Sequence, residues 1–206
     1  MPLISFEGID GCGKSTQIRK LKDALEASGR AVYLFREPGG TQLSEEIREM
    51  LLDNRRTIHP VTEMILFSAA RADLITQQVV PLLQKGEWVI LDRFYDSTTA
   101  YQGYGRQAAP IDEVQHLNQL ATLGVVPDVT FYLRVDLETA LQRRNGQKAD
   151  RMEGAGGDFF ERVIRGYDLM AQQEPKRFTV LNASQPVEQV FGDLMEALKH
   201  HFEEIG

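Results

Sequence analysis

Residues 5–18 read SFEGIDGCGKSTQI and contain the pattern G-x-x-x-x-G-K-S, formed by Gly8, Gly13, Lys14 and Ser15. Glycine tolerates a positive φ and has no Cβ, so the backbone can turn its N–H groups inward around an anion. The lysine adds a positive charge that can reach the β- and γ-phosphates of a nucleotide, and the serine hydroxyl is suited to Mg²⁺. The pattern therefore predicts a phosphate-binding loop.

The sequence on either side of this loop fits the strand-loop-helix order that such a loop requires. Residues 3–6 are an apolar run of strand length, and after the loop Ile18, Leu21 and Leu25 recur at the spacing of one helix face. The alternative is a structural glycine turn, which this context disfavours. The residues that we assign to nucleotide binding are Gly8, Ile9, Asp10, Gly11, Cys12, Gly13, Lys14, Ser15 and Thr16.

The composition is that of an ordinary globular protein. The chain has 206 residues, of which 42% are hydrophobic and 26% charged, and we expect a single domain over residues 1–206. No apolar run approaches membrane-spanning length and no signal peptide is visible, so we expect no membrane association. Cys12 is the single cysteine, which excludes an internal disulfide and suits a reducing cytosol, so the expected location is cytoplasmic.

The charge of the chain narrows the possible partners. A net charge of −7 argues against a general nucleic-acid-binding protein, because such proteins present a basic surface to the phosphate backbone. If this chain handles polyphosphates, its cations must be concentrated locally. No His/Cys cluster has the spacing of a zinc site.

Five apolar runs of strand length alternate with helical patterns along the chain. This alternation predicts a doubly wound α/β sheet with right-handed crossovers. The helical pattern from residue 60 to about 85 is apolar over more than one face, so we expect burial on two sides, one of them suited to a partner subunit. The predicted strands lie at residues 3–6, 30–35, 88–91, 129–135 and 178–181.

Polar residues directly follow two of these strands, at the sheet edge where open α/β proteins bind ligands. Arg36, Glu37 and Pro38 follow the second strand, although a surface salt bridge is an equally good interpretation of the Arg-Glu pair. Asp92 ends the third strand, at the position of a carboxylate that binds Mg²⁺ through water. Arg93 comes next, and its planar guanidinium is suited to a phosphate group.

Two further segments are candidates for a nucleoside pocket. Phe67 and Arg71 lie four residues apart on one helix face, where a ring and a guanidinium can stack on a base and bind its edge. The alternative places Phe67 in the core and Arg71 on its rim. The segment STTAYQGYG at 97–105 mixes hydroxyls, an amide and aromatic rings, which suits a nucleoside and is also compatible with a plain helix start.

Residues 143–157 read RRNGQKADRMEGAGG, cationic in the first half and glycine-rich in the second. The segment lacks an apolar period, which is typical of a mobile lid. A charge run is usually a solvated surface, but a phosphate site in an acidic chain needs cations. We therefore expect a functional lid at about 143–157.

Together these segments closely resemble the bacterial thymidylate kinase (dTMP kinase) family, over essentially the full length. The most specific marks are REPGGT at 36–41 and DRF at 92–94, with YQG at 101–103 beside them. FEGIDG running into GKS, the pair Leu66-Phe67 with Arg71, and Asp150-Arg151 add to the match. The resemblance implies a three-layer P-loop NTPase fold with a five-stranded parallel sheet of order 2-3-1-4-5, a mobile lid and a homodimer.

The resemblance also implies the reaction ATP + dTMP → ADP + dTDP with Mg²⁺, a step in dTTP synthesis. Phe67 would stack on thymine with Arg71 at its edge, Thr98 and Gln102 would read the base, and Tyr101 would pack on the deoxyribose. The substrate-binding residues that it implies are Asp10, Arg36, Glu37, Pro38, Phe67, Arg71, Arg93, Ser97, Thr98, Tyr101 and Gln102.

The same match places charged residues around the phosphates. Asp10 would hold the sugar 3′-hydroxyl or the metal, and Arg36 and Arg93 would hold the dTMP phosphate. Arg151 would close from the lid, and Arg143 would flank the adenine. Some family members carry an arginine within the phosphate loop, which this chain lacks, so lid arginines must supply that charge. The implied catalytic residues are Lys14, Arg93, Arg151 and Asp10, and the implied metal-binding residues are Ser15 and Asp92.

Three other functions stay open at this point. The nearest is a kinase for another nucleoside monophosphate, such as dUMP, CMP or AMP. A second is a GTP-dependent switch, against which no N-K-x-D sequence follows the fourth predicted strand. A third is a non-enzymatic nucleotide-binding module, in which the lid and the acceptor-pocket residues would have no purpose.

Overall fold

A parallel five-stranded sheet forms the centre of the protein. The structure is a computed structural model that describes residues 2–144 and 156–202. The strands are β1 (Leu3–Glu7), β2 (Val32–Arg36), β3 (Trp88–Asp92), β4 (Val129–Arg134) and β5 (Phe178–Asn182). Their order is β2-β3-β1-β4-β5, which confirms the predicted order. The strand that precedes the phosphate loop is therefore central, and its carboxyl end lies between those of β3 and β4.

Helices connect the strands, as the alternating pattern predicted. Side chains cap the N-termini of two helices: Thr41 accepts a hydrogen bond from the backbone N of Ser44 at 3.1 Å, and Asp136 accepts one from that of Thr139 at 2.8 Å. No helix within the described residues is both long enough and apolar enough to cross a membrane. The helices are α1 (Lys14–Ala27), α2 (Gln42–Leu52), α3 (Pro60–Leu74), α4 (Val80–Gln84), α5 (Tyr95–Thr98), α6 (Ile111–Thr122), α7 (Leu137–Arg143), α8 (Gly157–Gln173) and α9 (Val187–His201).

The single long helix predicted from residue 60 to about 85 is interrupted. A π-helical segment, Ile75–Val79, joins α3 to α4. Pro81 lies in the first turn of α4 and has no N–H, so the regular hydrogen-bond ladder cannot pass through it. A second π-helical segment, Thr99–Gly105, continues α5, so the segment 97–105 is helical throughout.

The sheet is covered on both faces. The neighbouring residues Leu3 and Ile4 of β1 are both buried but belong to different apolar clusters, because successive side chains of a strand point to opposite faces. One cluster joins the sheet to α1, α8 and α9, and the other joins it to the end of α3 and the following π-helical segment. The result is the three-layer α/β architecture expected from the sequence.

The second π-helical segment interlocks with α8 through two glycines. A Cβ on Gly105 would lie 2.6 Å from the ring of Phe159, and a Cβ on Gly166 would lie 2.6 Å from the ring of Tyr104. Each glycine thus leaves room for an aromatic ring of the opposite element. We call this contact the glycine-aromatic interlock.

Candidate active site

The phosphate-loop residues connect β1 to α1, as predicted. Gly13 has a φ of 95° and directly precedes the first residue of α1. Gly11 has a φ of 86°, and a Cβ there would collide with the carbonyl oxygen of Ala140 in α7. Such φ values are disfavoured for residues with a side chain. The loop therefore needs glycine here, and it leads into a helix N-terminus whose unpaired N–H groups favour an anion.

The side chain of Lys14 folds back over this loop. Only 6% of the residue is exposed, and Nζ donates to the carbonyl oxygens of Gly8 at 2.8 Å and Ile9 at 3.3 Å. The Sγ atom of Cys12 lies 3.6 Å from the same nitrogen. Because Lys14 also lines the adjoining cavity, its ammonium group can turn to a bound phosphate.

A cavity of about 890 Å³ adjoins the loop, and we call it the donor cavity. Its volume lies within the range of nucleotide and cofactor sites. Residues 10–17 form one wall, and the segment after β5 forms another. Arg143 at the end of α7 bridges to that segment, since Nη1 donates to the carbonyl oxygen of Ala183 at 2.8 Å. The polar residues at its sheet edge are Arg36, Glu37, Asp92 and Arg93.

Ser15 and Asp92 were predicted to bind the metal, and both line the donor cavity. Ser15 lies exposed in the first turn of α1, and Asp92 is half-buried at the end of β3. A hydroxyl and a carboxylate are oxygen ligands of the kind that Mg²⁺ prefers, and Mg²⁺ usually keeps several waters besides one or two protein ligands. The described residues contain no group of three or more His, Cys, Asp and Glu side chains placed to hold a metal, so this pair fits Mg²⁺ better than a fully protein-coordinated ion.

A smaller cavity of about 110 Å³ lies beside the donor cavity, and we call it the acceptor pocket. It brings together ten of the eleven predicted substrate-binding residues from four separate segments of the chain, and Arg48 and Leu52 add a fifth segment to the lining. Four residues line both cavities and form the boundary between them: Asp10, Glu37, Arg48 and Arg93. The predicted residues in the pocket are Asp10, Glu37, Pro38, Phe67, Arg71, Arg93, Ser97, Thr98, Tyr101 and Gln102.

Arg93 is held at this boundary by four acceptors. Nη2 donates to Oδ1 of Asp10 at 2.8 Å and to the hydroxyl of Tyr101 at 3.2 Å. Nη1 donates to the carbonyl oxygen of Gly8 at 3.0 Å and to Oγ of Ser97 at 3.1 Å. The guanidinium thus has a fixed orientation between the phosphate loop and the acceptor pocket.

The charge of Asp10 is secured by its cationic neighbours. Burial works to raise the pKa of this carboxyl, but the charges of Arg93 and Lys14 outweigh burial, and the net result is a pKa well below the usual range. Asp10 is therefore ionised at every physiological pH. A lasting negative charge at the boundary keeps Arg93 in place and can also accept a hydrogen bond from a sugar hydroxyl.

The acceptor pocket contains a buried arginine rather than one on a rim. Arg71 is 2% exposed, and its Nε donates to Oε2 of Glu37 at 2.8 Å. Its Nη2 donates to the hydroxyl of Thr98 at 2.9 Å, and its Nη1 to the amide oxygen of Asn118 at 3.3 Å. The prediction that Arg71 faces a ligand pocket agrees with this placement, and the alternative placement on the rim of the core does not.

Glu37 completes this buried pair. Burial raises the pKa of Glu37, and the adjacent charge of Arg71 opposes that rise. One of its oxygens, Oε1, is buried and has no hydrogen-bond partner among the described residues. Of the Arg-Glu pair after β2, Glu37 thus faces the pocket, whereas Arg36 is exposed and lies 3.3 Å from Glu45 in a surface salt bridge. Arg36 also lines the donor cavity, and the substrate-binding role of both residues stays a prediction.

The remaining pocket residues present a mixed polar and aromatic lining. The side-chain amide of Gln102 donates to Glu63 at 2.8 Å, which fixes the plane of the amide. The ring of Tyr101 lies 5.0 Å from the guanidinium carbon of Arg93. Phe67 is half-buried at the pocket wall. A half-buried ring beside fixed hydrogen-bonding groups is the surface that a planar base requires.

Of the predicted site residues that the structure describes, Gly8 and Ile9 fall outside these two linings. Gly8 and Ile9 belong to the loop but contribute only carbonyl oxygens behind it, which accept from Lys14 and Arg93. Arg151 lies outside the described residues, as do residues 145–155 of the predicted lid.

Sequence reasoning missed two residues of this site. Arg48 of α2 lines both cavities, and its Nη1 donates to the carbonyl oxygen of Pro38 at 3.0 Å. On sequence alone it is one more charged residue of an amphipathic helix. Glu7 is fully buried at the end of β1, and a carboxylate inside the apolar strand LISFE was a signal that could have identified it.

The fold and the site together define a P-loop nucleotide-binding protein in which a phosphate loop adjoins a second, smaller pocket. The family model described as thymidylate kinase matches residues 6–194. The chain is 50% identical to a thymidylate kinase of Chlorobaculum tepidum, with 88% of this chain and 89% of that protein covered. It is 42% identical to a thymidylate kinase of Thermoanaerobacter sp., with 96% and 97% covered. The chain therefore belongs to the thymidylate kinase family.

Proposed function

We propose that the protein transfers the γ-phosphoryl group of ATP to dTMP, giving ADP and dTDP. The observation that carries this proposal is the shared boundary of the two cavities. A donor triphosphate on the loop and an acceptor monophosphate in the acceptor pocket would meet at Asp10 and Arg93. Family membership supports thymine as the acceptor base.

The acceptor pocket has a group for each part of dTMP. Phe67 stacks on the thymine ring, and Arg71 hydrogen-bonds to the edge of the base. Gln102, whose side-chain amide is held in place by Glu63, also hydrogen-bonds to the base. Tyr101 packs on the deoxyribose, whose 3′-hydroxyl donates to Asp10.

Catalysis in this arrangement is alignment and cancellation of charge. The second pKa of a phosphate monoester is about 6, so the acceptor is largely a dianion at neutral pH and needs no general base. The obstacle is the repulsion between two polyanions. Lys14 and Arg93 place positive charges on either side of the point of transfer, and Arg36 is the predicted second arginine for the acceptor phosphate.

Mg²⁺ is the metal that this site would take. Ser15 would hold it through the hydroxyl and Asp92 through water, on the oxygen-ligand argument given above. Bound there, Mg²⁺ would supply positive charge that offsets the negative charge of the phosphates during transfer. Ser15 lies in the first turn of α1, so the metal would be held at the helix N-terminus that adjoins the donor cavity.

The predicted lid at 143–157 and its Arg151 stay part of the proposal. The phosphate loop has no arginine, and a positive charge on the transferring group is the usual requirement of phosphoryl transfer. We assign that charge to Arg151. The lid is an insert in one domain that spans residues 1–206, and Arg143 at its start flanks the adenine from its position beside Ala183.

A homodimer is proposed on the apolar surface of α2 and α3. Ile65 of α3 is 51% exposed, and Leu43 and Met50 of α2 are 49% and 43% exposed. The sequence also favours this surface, because the helical pattern from residue 60 to about 85 is apolar on a second side that suits a partner subunit. Light scattering on Ile65→Asp and on the unchanged chain tests this, because a single charge in the interface would shift the mass towards the monomer.

A panel of nucleoside monophosphates tests the proposed function. Each of dTMP, dUMP, CMP, AMP and GMP is incubated with ATP and Mg²⁺, and ADP formation is measured. We expect dTMP to give the highest kcat/KM. A higher value for another monophosphate would move the assignment within the kinase class. Nucleotide binding without product for any acceptor would make the protein a binding module.

A further inference from the structure

Glu7 is a fully buried carboxylate at the carboxyl end of β1, behind the boundary of the two cavities. Three donors contact it. Its Oε1 accepts from the backbone N of Phe94 at 2.8 Å, and its Oε2 accepts from the hydroxyls of Ser97 at 2.6 Å and Tyr167 at 2.8 Å. The oxygens of Ser97 and Tyr167 also lie 2.9 Å apart, so Glu7 and the two hydroxyls form one network. In its ionised form Glu7 can only accept hydrogen bonds, and all three donors then point towards it.

The first consequence concerns the hydroxyl of Ser97. A serine hydroxyl has one proton, and an ionised Glu7 at 2.6 Å is a stronger acceptor for it than the hydroxyl of Tyr167 at 2.9 Å. The lone pairs of the same oxygen then remain available to Arg93, whose Nη1 donates to it at 3.1 Å. A guanidinium only donates, so by binding the serine proton Glu7 holds the Ser97 oxygen in the orientation that Arg93 needs.

The second consequence concerns the backbone of Arg93. This residue has a φ of 72°, in the left-handed region that residues with a Cβ rarely adopt. Its own N–H donates to the carbonyl oxygen of Phe6 at 3.0 Å, and the next N–H, that of Phe94, donates to Glu7. Residues 6 and 7 of β1 thus hold the strained turn from both sides.

We infer that Glu7 is a positioning residue for the acceptor phosphate, acting through Ser97 and the Phe94 amide to fix the guanidinium of Arg93. The inference rests on the proposed function, because that function gives Arg93 a phosphate to bind. Glu7 lines neither cavity as described, so it acts on the substrate only through Arg93. Its effect should therefore fall on ligands that carry a phosphate.

Thymidine and dTMP separate this role from a general structural role. Thymidine occupies the base and sugar positions of the acceptor pocket but offers nothing to Arg93. In Glu7→Gln the amide nitrogen donates to Ser97, so the serine proton must turn away from its present acceptor. We expect the KM for dTMP to rise about tenfold, since a hydrogen bond to a charged group is disturbed, while the inhibition constant of thymidine stays within about twofold.

Two further variants make the test specific. Ser97→Ala removes the link between Glu7 and Arg93 and should reproduce the dTMP-selective loss, and the double variant should lose less than the product of the two single losses. Tyr132→Phe is the matched control, because it removes the hydroxyl of a neighbouring buried tyrosine that donates to Asp168 and not to Glu7 or Ser97. We expect Tyr132→Phe to change the KM for dTMP by no more than about threefold.

The outcomes are distinguishable from a failure of the proposed function. If the unchanged enzyme does not phosphorylate dTMP, the proposed function itself is wrong. If it does, and Glu7→Gln binds dTMP normally or weakens thymidine equally, the positioning role is wrong. If Glu7→Gln does not fold, Ser97→Ala decides alone: equal losses for dTMP and thymidine, or no loss, overturn the inference.

Discussion

The donor cavity and the acceptor pocket are built by different means. Eight consecutive residues, 10–17, form one wall of the donor cavity, and within the described residues Lys14 of that wall contacts two carbonyl oxygens and the thiol of Cys12 without a salt bridge. The acceptor pocket is assembled from five segments, and its arginines are paired with carboxylates before any ligand arrives. Lys14 should therefore affect rate with little effect on stability, whereas the paired residues of the acceptor pocket should affect stability as well.

The largest expected effect tests the positive charge that we assign to the predicted lid. Arg151→Ala should lower kcat on the order of 10³-fold and leave the KM for dTMP nearly unchanged, by analogy with arginines that stabilise a transferring phosphoryl group. Steady-state kinetics with both substrates varied measure the two constants. Lys148→Ala, in the same predicted lid, is the control. A near-normal kcat would remove Arg151 from the catalytic residues.

The next effect tests the donor side of the comparison directly. Lys14→Ala should lower kcat by about 10²- to 10³-fold, because one preorganised positive charge is lost at the transferring group. Its urea midpoint should change little, since Lys14 forms no salt bridge with any residue that the structure describes, and its contacts there are to carbonyl oxygens and a thiol. The exposed Lys22, which pairs with Glu26 one turn along α1, provides the matched control Lys22→Ala. A large loss of stability in Lys14→Ala would contradict the contrast drawn between the two cavities.

The acceptor side is tested by stability. Arg71→Met leaves Glu37 buried without its partner, and breaking a buried ion pair in this way costs about 3–5 kcal/mol. Arg36→Met breaks the exposed pair with Glu45 and should cost at most about 1 kcal/mol. Urea unfolding of both variants measures the difference in the free energy of unfolding between them. For both arginines, the sequence alone left open whether the side chain faces a ligand. Similar losses would show that the acceptor pocket is no more dependent on its ion pair than the surface is.

The smallest effect concerns the carboxylate behind both cavities. Burial raises the pKa of Glu7 to about 7, with Asp96 acting in the same direction and Ser97, Arg93 and the Phe94 amide opposing it. Between pH 4.5 and 7 the folded state then binds more protons at Glu7 than the unfolded state, so this residue makes stability fall as pH rises, by at most about 1.4 kcal/mol per pH unit.

Glutamine does not titrate, so Glu7→Gln removes this contribution to the pH dependence of the free energy of unfolding. Urea midpoints at a series of pH values should therefore show the unchanged protein losing stability relative to Glu7→Gln as pH rises through this window. The surface variant Glu188→Gln, which alters an exposed pair with Lys20, should run parallel to the unchanged protein. A relative gain of stability with rising pH would mean that the pKa of Glu7 is lowered on folding.

The two regions also differ in how much of each the sequence reveals. The phosphate loop is contiguous, and its glycines, lysine and serine each have a separate physical role. The motif alone therefore predicted that the loop lies between β1 and α1. The strands were predicted in number, and the structure confirms their order. The π-helical segments were not predicted, because the spacing of apolar residues does not reveal the one extra residue that each π-helical turn contains.

The acceptor pocket required the family resemblance. Phe67 and Arg71 share a helix face in the sequence, but nothing in their spacing distinguishes a buried arginine from one on the rim. The partner that decides the matter, Glu37, is 34 residues away in the chain. Arg48 was missed for the same reason, since its contact with Pro38 arises only when α2 packs beside the end of β2.

The glycine-aromatic interlock has a consequence for protein engineering. Gly105 and Gly166 leave room for the rings of Phe159 and Tyr104, so the π-helical segment Thr99–Gly105, which forms the back of the acceptor pocket, packs tightly against α8. Exchanging side chains at the open edge, such as Phe67, can be attempted one at a time. A redesign that enlarges the back wall to fit a larger acceptor base must instead change the π-helical segment and α8 together. Among natural relatives, we therefore expect the substitutions that alter the size of the accepted base to lie mainly at the open edge of the pocket.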